Sequence, residues 1–395
     1  MYVTRSLSTS RRLLSNGFVD KPNDGPCSGY LVITDQEGRE KYTCCWGTCE
    51  TDSVTKFPFP QDRVLNFEPD NEDTATFKLW FIPVLDLPLS YNIYYVMRAD
   101  GKYQGLSCVC SREHDKVQSC FGTYTQDLKP RSFNYRDVDQ RFRILSSSSN
   151  GMFYAQSAAS GGFPPGYLSR KSWQVHSSSS YQPKLEEASG LDASLRACLP
   201  DLNFPISNKC SDSVIVGKWY CPFVFFMEDG ETHEQMKRSM FYKMVLQQRW
   251  EKIYTCKSMT YQTNEITINV NVQTEDITIF GMKAKKDDIR GLEDMVWFRA
   301  GQTDEISWRG IRWGMSTAIF EKMKWVQEEG GYVYDENRAM VENVAVAVDM
   351  KRGTGPSQGF SCYVLVESFV LTRLDGSTVM TYEFWHTQKT RTKWD

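Results

Sequence analysis

The clearest pattern along the chain is a strict alternation of apolar and polar residues over residues 266–272, Ile-Thr-Ile-Asn-Val-Asn-Val. Because successive side chains of a strand point to opposite faces, this alternation predicts a half-buried β-strand. The alternation changes phase before Ile277 and Ile279, which places a turn or bulge over residues 274–276. We therefore expect an antiparallel sheet with one solvated face, in which residues 241–254 form the neighbouring strand.

Short apolar segments bounded by Gly, Pro, Asp and Asn predict strands in both halves of the chain. They cover residues 30–34, 79–84, 93–97, 240–254, 295–298, 362–371 and 377–385. The last two flank Asp375 and Gly376, a turn sequence that closes β-hairpins. A helix over residues 234–253 competes with the strand there, because the methionines of this segment also keep helical spacing. We favour the strand.

Two segments predict helices. Residues 185–199 carry two glutamates near their start and end at Pro200, and residues 315–329 end at Gly330. One face of the second helix collects Ala318, Ile319, Lys322, Met323 and Val326. The predicted fold class is α+β and β-rich, with mostly antiparallel sheets, a few helices and one long helix covering the C-terminal sheet.

A stretch rich in Ser, Gly and Pro divides the chain. It predicts a β-rich N-terminal domain over residues 1–145, a connection with a short helix over residues 146–205, and an antiparallel β domain over residues 206–395. Within the first domain, Cys45-Trp46-Gly47-Thr48 recurs as Cys120-Phe121-Gly122-Thr123. This repeat predicts two related units, about residues 25–75 and 90–145, with chance similarity as the alternative.

Charge and composition exclude several classes of protein. A chain of 395 residues with 13% aromatic residues can build two or three packed domains. Its net charge of −3 argues against general binding of nucleic acid, which needs a basic face. The apolar runs are too short for a transmembrane segment, so none is predicted.

The N-terminal segment and the cysteines bear on the compartment. Arg5, Arg11 and Arg12 lie among serines, without the apolar region of a secretory signal. The chain has 12 cysteines and no Asn-x-Ser/Thr sequon, which fits a reducing compartment. We predict a cytoplasmic protein, with chloroplast import through a short N-terminal transit segment as the alternative.

Catalytic and metal motifs are weak. Gly-x-Ser-x-Gly occurs around Ser357, but a nucleophile elbow needs a strand before the serine and a helix after it, whereas a strand is predicted to follow. The weak acid–base candidates are His386, Glu383 and Glu367. No metal site is predicted, because the weak candidates Cys44, Cys45, Cys49, Cys108, Cys110 and Cys120 lack Cys-x-x-Cys spacing. No nucleotide-binding motif occurs, and no cofactor is expected.

Several segments resemble a plant family catalogued as a domain of unknown function, DUF1262. They are residues 29–33, 43–47, 217–223, 236–242 and 362–369. The family has no established catalytic residues, so the resemblance implies membership and no chemistry. One departure is Trp385, which precedes His386 where the family more often has an arginine.

These observations predict a soluble, non-enzymatic plant protein that binds a protein partner or a small aromatic or apolar ligand. The resemblance suggests a part in stress or defence responses. One alternative is a pore-forming-like β protein that uses residues 241–280, because strands that cross membranes also alternate apolar and polar residues. The other is a small-molecule enzyme whose site assembles only in three dimensions. The sequence does not determine the oligomeric state.

Overall fold

The computed structural model describes residues 1–18, 24–38, 42–44, 49–51, 53–69, 76–119, 122–148, 151–169, 172–256, 265–287, 294–303, 308–333, 341–349 and 359–394. Its helices are α1 Leu7–Ser15, α2 Gly166–Ser169, α3 Ala193–Cys198, α4 Thr232–Arg238 and α5 Thr317–Glu329. Its strands are β1 Tyr2–Ser6, β2 Gly29–Ile33, β3 Tyr42–Cys44, β4 Cys49–Thr51, β5 Leu65–Pro69, β6 Phe77–Pro83, β7 Ile93–Arg98, β8 Lys116–Ser119, β9 Gly122–Thr125, β10 Arg141–Ser146, β11 Phe153–Ser157, β12 Trp173–Ser177, β13 Gly190–Leu191, β14 Val214–Pro222, β15 Phe226–Met227, β16 Phe241–Cys256, β17 Glu265–Gln273, β18 Glu275–Ile279, β19 Met282–Lys286, β20 Met295–Thr303, β21 Trp308–Ser316, β22 Val341–Asp349, β23 Phe360–Arg373 and β24 Thr378–Trp394.

A 12-stranded sheet forms the larger part of the molecule, in the order β15-β21-β20-β19-β18-β24-β23-β16-β14-β1-β2 with β13 beside β14. Its neighbouring strands pair antiparallel, except β1 and β2, which are parallel. β23 and β24 form the hairpin that Asp375 and Gly376 predict. The prediction of a β-rich fold with mostly antiparallel sheets and few helices is confirmed.

The second large element is a closed barrel of the strands β10-β11-β12-β5-β6-β7. Alternation along β6 explains how it joins the sheet. Leu79 and Phe81 pack inside the barrel, while Trp80 and Ile82 pack in the core that the barrel shares with the large sheet. The ring of Trp80 lies 5.1 Å from that of Phe241 on β16.

Residues 266–272, which show the clearest alternation, belong neither to the large sheet nor to the barrel. β17 pairs antiparallel with β22 as a separate two-stranded sheet, which we call the ribbon. The prediction that residues 241–254 are its neighbouring strand is wrong, because β16 pairs with β14 and β23. The phase change at residues 274–276 marks the place where the chain leaves the ribbon and enters the large sheet as β18.

The helices are shorter than the sequence pattern predicts. α5 has 13 residues, and the predicted face from Ala318 to Val326 is buried. A long helix is not supported, since the described chain beyond α5 consists mainly of strands. α3 has only 6 residues and begins after Asp192, whose side chain accepts a hydrogen bond from the backbone N–H of Leu195. Residues 234–253, for which a helix and a strand are both predicted, contain one of each: α4 ends at Arg238 and the strand β16 follows.

The pairing of the strands does not follow the boundaries of the three segments predicted from the sequence. β1 and β2, at the start of the chain, belong to the large sheet, and β11 and β12 of the barrel lie within residues 146–205. The division into domains and the two related units stay predictions. Residues 45–48 and 120–121, which carry most of the repeated motif, lie outside the described residues.

Candidate functional site

Two of the sequence candidates, Glu367 and His386, lie together in the middle of the large sheet. In the register of β23 and β24, Glu367 pairs with Phe384 and Leu365 pairs with His386, so the two candidates are diagonal neighbours. His386 Nε2 is 3.4 Å from Glu367 Oε2. The exposed fraction is 0% for Glu367 and 3% for His386, so this structure gives a substrate no access to either side chain.

Residues that the sequence pattern did not single out complete this cluster. The guanidinium of Arg196 on α3 donates to both carboxylate oxygens of Glu367, with Nε at 2.9 Å from Oε1. Gln248 on β16 donates to the same Oε1 at 2.7 Å. Gln248 interrupts a row of apolar residues on the buried face of β16. A polar residue within this apolar row is the one sequence signal that could have identified Gln248.

The electrostatics of the cluster hold Glu367 as a fixed anion. Burial raises the pKa of this carboxyl, but hydrogen bonds from His386 and Arg196 and the charge of Arg196 outweigh burial and lower the pKa well below its usual range. Arg196 Nη1 also donates to the carbonyl oxygen of Val326 at 2.7 Å. The cluster therefore fastens α3 and the end of α5 to the sheet, and the carboxylate is a poor proton acceptor.

The third acid–base candidate, Glu383, lies on the opposite face of the sheet. There Arg249 donates to Glu383 through Nη2 at 2.8 Å and to Ser368 through Nη1 at 2.8 Å. Arg249 also pairs with Glu251 at 3.0 Å. Burial lowers the pKa of Arg249, whereas the two carboxylates raise it and prevail. The structure thus separates Glu383 from the pair formed by Glu367 and His386.

Of the six cysteine candidates, only Cys108 and Cys110 have described side chains, and both are buried. Cys108 Sγ is 3.2 Å from the hydroxyl of Tyr167. Burial raises the pKa of Cys108 to about 11 and that of Cys110 to about 12. Cys44 and Cys49 are backbone partners in the register of β3 and β4, while Cys45 and Cys120 lie outside the described residues. Within the described part of the chain, no three His, Cys, Asp or Glu residues are placed to hold a metal ion.

A cleft opens beside the barrel where β11 and β12 separate. Among the described residues, these strands pair only at Phe153 and Trp173. The cleft has a volume of about 600 Å³, within the usual range for small-ligand sites. It is lined by Thr125, Asp127, Tyr154, Ala155, Gln156, Ser157, Ala159, Gly161, Gly162, Phe163, Pro164 and Ser169.

The described lining of this cleft is polar and almost uncharged. Phe153 and Ala155 of β11 are buried in the barrel, which directs Tyr154 and Gln156 to the outer side. Within the described chain, neither of these two side chains forms a hydrogen bond, so both polar groups can serve a ligand. Asp127 supplies the one carboxylate of the described lining, and both of its oxygens lie 2.9 Å from the backbone nitrogen of Gly166.

The ribbon presents two unlike faces. Ile268, Val272 and Val344 are buried, and Ile268 packs with Phe360 and Cys362 at the start of β23. On β17 the alternate positions carry exposed polar side chains, namely Thr267, Asn269 and Asn271. On β22 the exposed positions are Asn343 with Val341 and Ala345, while Glu342 lies on the other face opposite Val272. The alternation that the sequence shows is therefore real in the fold, with the apolar face on the body of the protein.

Comparisons with known proteins match part of the chain to one family model and leave function open. Residues 24–121 match the model of a family described as "Protein of unknown function (DUF1262)", which confirms the resemblance over this part of the chain. No curated protein matches the sequence. The crystal structure of Cry35Ab1 is similar to this chain with a TM-score of 0.45 and 12% sequence identity, over 85% of this chain and 90% of that chain. This likeness carries no argument about function. No helix in the described segments is both long and apolar enough to cross a membrane.

Proposed function

We propose that this is a non-enzymatic binding protein whose cleft beside the barrel takes a neutral, hydroxyl-rich ligand such as a saccharide. The observation that carries the proposal is the position of Tyr154 and Gln156 on the outer side of β11, where both line the cleft. Neither side chain forms a hydrogen bond to a described residue. An amide both donates and accepts hydrogen bonds, as sugar hydroxyls do. The ring of Tyr154 adds an apolar surface beside a polar group.

This proposal differs in one respect from the expectation of an aromatic or apolar ligand. The large aromatic side chains fill the cores: Trp80, Trp173, Trp219, Trp250 and Trp313 are all buried. The described lining of the cleft is mostly polar instead. Glycoside hydrolysis uses two carboxylates, and the described lining supplies only Asp127, which supports binding without turnover.

Calorimetric titration with a panel of neutral mono- and oligosaccharides tests this proposal. We expect binding by the unchanged protein and roughly tenfold weaker binding by Gln156→Ala, since one ligand hydrogen bond is lost. Gln174→Ala is the matched control, because Gln174 is an exposed glutamine on β12 outside this cleft. No heat of binding with any sugar, or equal losses in both variants, contradicts the proposal.

A second candidate function is action on membranes through the ribbon. Each of its strands has 9 residues, and a transmembrane β-strand needs about 9 to 11. Nine residues at about 3.3 Å each span about 30 Å, the thickness of the hydrocarbon core. The ribbon pairs with no other described strand. Its apolar face is buried on the body of the protein, Glu342 accepts a hydrogen bond from Thr387 Oγ1 at 2.7 Å, and a bilayer would bury the same apolar face.

Release of a trapped dye from liposomes tests this second candidate. Val270→Arg puts a charge on the apolar face near mid-strand, at a cost of about 2–4 kcal/mol in lipid, and we expect it to abolish release. Asn269→Arg puts the same charge on the exposed polar face and should keep release. Circular dichroism checks that both variants fold. If the unchanged protein releases no dye at any concentration, the candidate is rejected.

Plant origin, a part in stress or defence and a cytoplasmic location stay predictions from the sequence.

A further inference from the structure

Three cations stand side by side on the outer face of the large sheet. Lys285 on β19 pairs with Arg299 on β20, and Arg299 pairs with Arg312 on β21. Directly paired residues project from the same face of a sheet. The flanking residues Ala284, Phe298, Ala300 and Trp313 are buried on the other face, which leaves these three cations, here called the cation row, toward solvent.

Among the described residues, the cation row carries more positive than negative charge. Asp287 Oδ2 lies 2.8 Å from Arg299 Nε and 4.0 Å from Arg312 Nε. Lys285 forms no ion pair within the described chain. A further carboxylate beside the row, Asp276, pairs with Lys283 at 3.5 Å. Like charges directly opposite each other destabilise a sheet, so the three paired cations favour the arrival of an anion from outside.

The geometry suits a phosphate group. Neighbouring strands lie about 4.8 Å apart, so the three side chains span about 10 Å of surface. The side chains of Arg299 and Arg312 are 42% and 41% exposed. The guanidinium of Arg312 lies 3.9 Å from the ring centroid of Trp297, which holds it in one orientation. An oriented guanidinium binds phosphate oxygens in pairs.

We propose that the cation row docks the protein on the phosphate headgroups of an anionic phospholipid surface. A sheet face with several cations matches a surface that carries many phosphates, whereas a single free phosphate uses only part of it. The chain has a net charge of −3, so general attraction to an anionic membrane is weak and docking depends on this local surface. The inference is independent of the cleft and of ribbon insertion.

Co-sedimentation of the full chain with vesicles tests the docking surface. We expect binding to phosphatidylcholine vesicles that contain phosphatidic acid, little binding to phosphatidylcholine alone, and weaker binding as salt rises. Lys285→Glu should weaken binding roughly tenfold or more. Lys184→Glu is the matched control: it makes the same change in net charge at an exposed lysine away from the row, and it should bind like the unchanged protein.

Several outcomes overturn the proposal. They are equal binding to neutral vesicles, equal loss in Lys285→Glu and Lys184→Glu, and stabilisation by inorganic phosphate without vesicle binding, which would assign the row to free phosphate. Arg312→Gln, checked by circular dichroism, removes a second cation and should also weaken binding. Vesicle binding without dye release separates this surface from the membrane action of the ribbon.

Discussion

Arg196 and Glu367 are 171 positions apart in the sequence and form a buried ion pair, with Arg196 Nε at 2.9 Å from Glu367 Oε1. The pair joins a short helix to the centre of the large sheet. Arg196 also donates to the carbonyl oxygen of Val326 at 2.7 Å, so the same guanidinium binds the last turn of α5. The guanidinium of Arg196 thus joins three parts of the chain, namely α3, β23 and the end of α5.

We expect Glu367→Gln to destabilise the protein by about 3–5 kcal/mol, because it leaves Arg196 as a buried charge without its partner. Glu383→Gln is the matched control on the other face of the sheet. There Arg249 keeps Glu251 at 3.0 Å, so the loss should be about 1 kcal/mol. Urea unfolding of both variants measures the difference in the free energy of unfolding. Similar losses would show that the buried ion pair stabilises the protein no more than the pair on the other face.

The same carboxylate predicts a loss of stability in acid. The pKa of Glu367 is lower in the folded protein than in the unfolded chain, where it is about 4.3. Its contribution is therefore present above about pH 4.3 and is lost as the pH falls through that value toward the lower folded pKa. Unfolding midpoints against pH should fall less steeply in Glu367→Gln than in the unchanged protein. Identical slopes would contradict this assignment.

Gly330, just after α5, provides an independent test of the cluster. Its φ is −79°, which alanine adopts without strain, but an added Cβ would overlap the guanidinium of Arg196. We expect Gly330→Ala to cost about 1–3 kcal/mol by displacing that group. The double variant with Glu367→Gln should lose less than the sum of the two. Glu329→Ala, at the exposed neighbour, serves as the control and should change little.

The described cysteines should differ sharply in reactivity. Burial raises the pKa of Cys108 to about 11 and that of Cys221 to about 12, so at pH 8 both stay thiols without access to reagent. Cys198 is exposed. We expect iodoacetamide to modify Cys198 first in the native protein, with Cys108 and Cys221 modified only after unfolding. Peptide mapping by mass spectrometry measures this order, and early labelling of Cys108 would refute it.

Part of the candidate site could be predicted from local pattern alone. The turn at Asp375 and Gly376 predicts the β23–β24 hairpin, and that hairpin brings Glu367 near His386. The alternation of β24 also predicts that Glu383 faces the other way, as observed. Arg196 could not be predicted, because α3 shows no pattern that indicates which distant strand it packs against.

The sequence by itself determined the strand of the ribbon and its two faces, since a period of two residues has only one structural meaning. Only the tertiary structure decided that β17 pairs with β22 outside the large sheet. Strand partners far apart in the chain are chosen by packing and register, which a local alternation does not encode. The same reason applies to Arg196 and Glu367 and to the cation row, whose members come from separate strands.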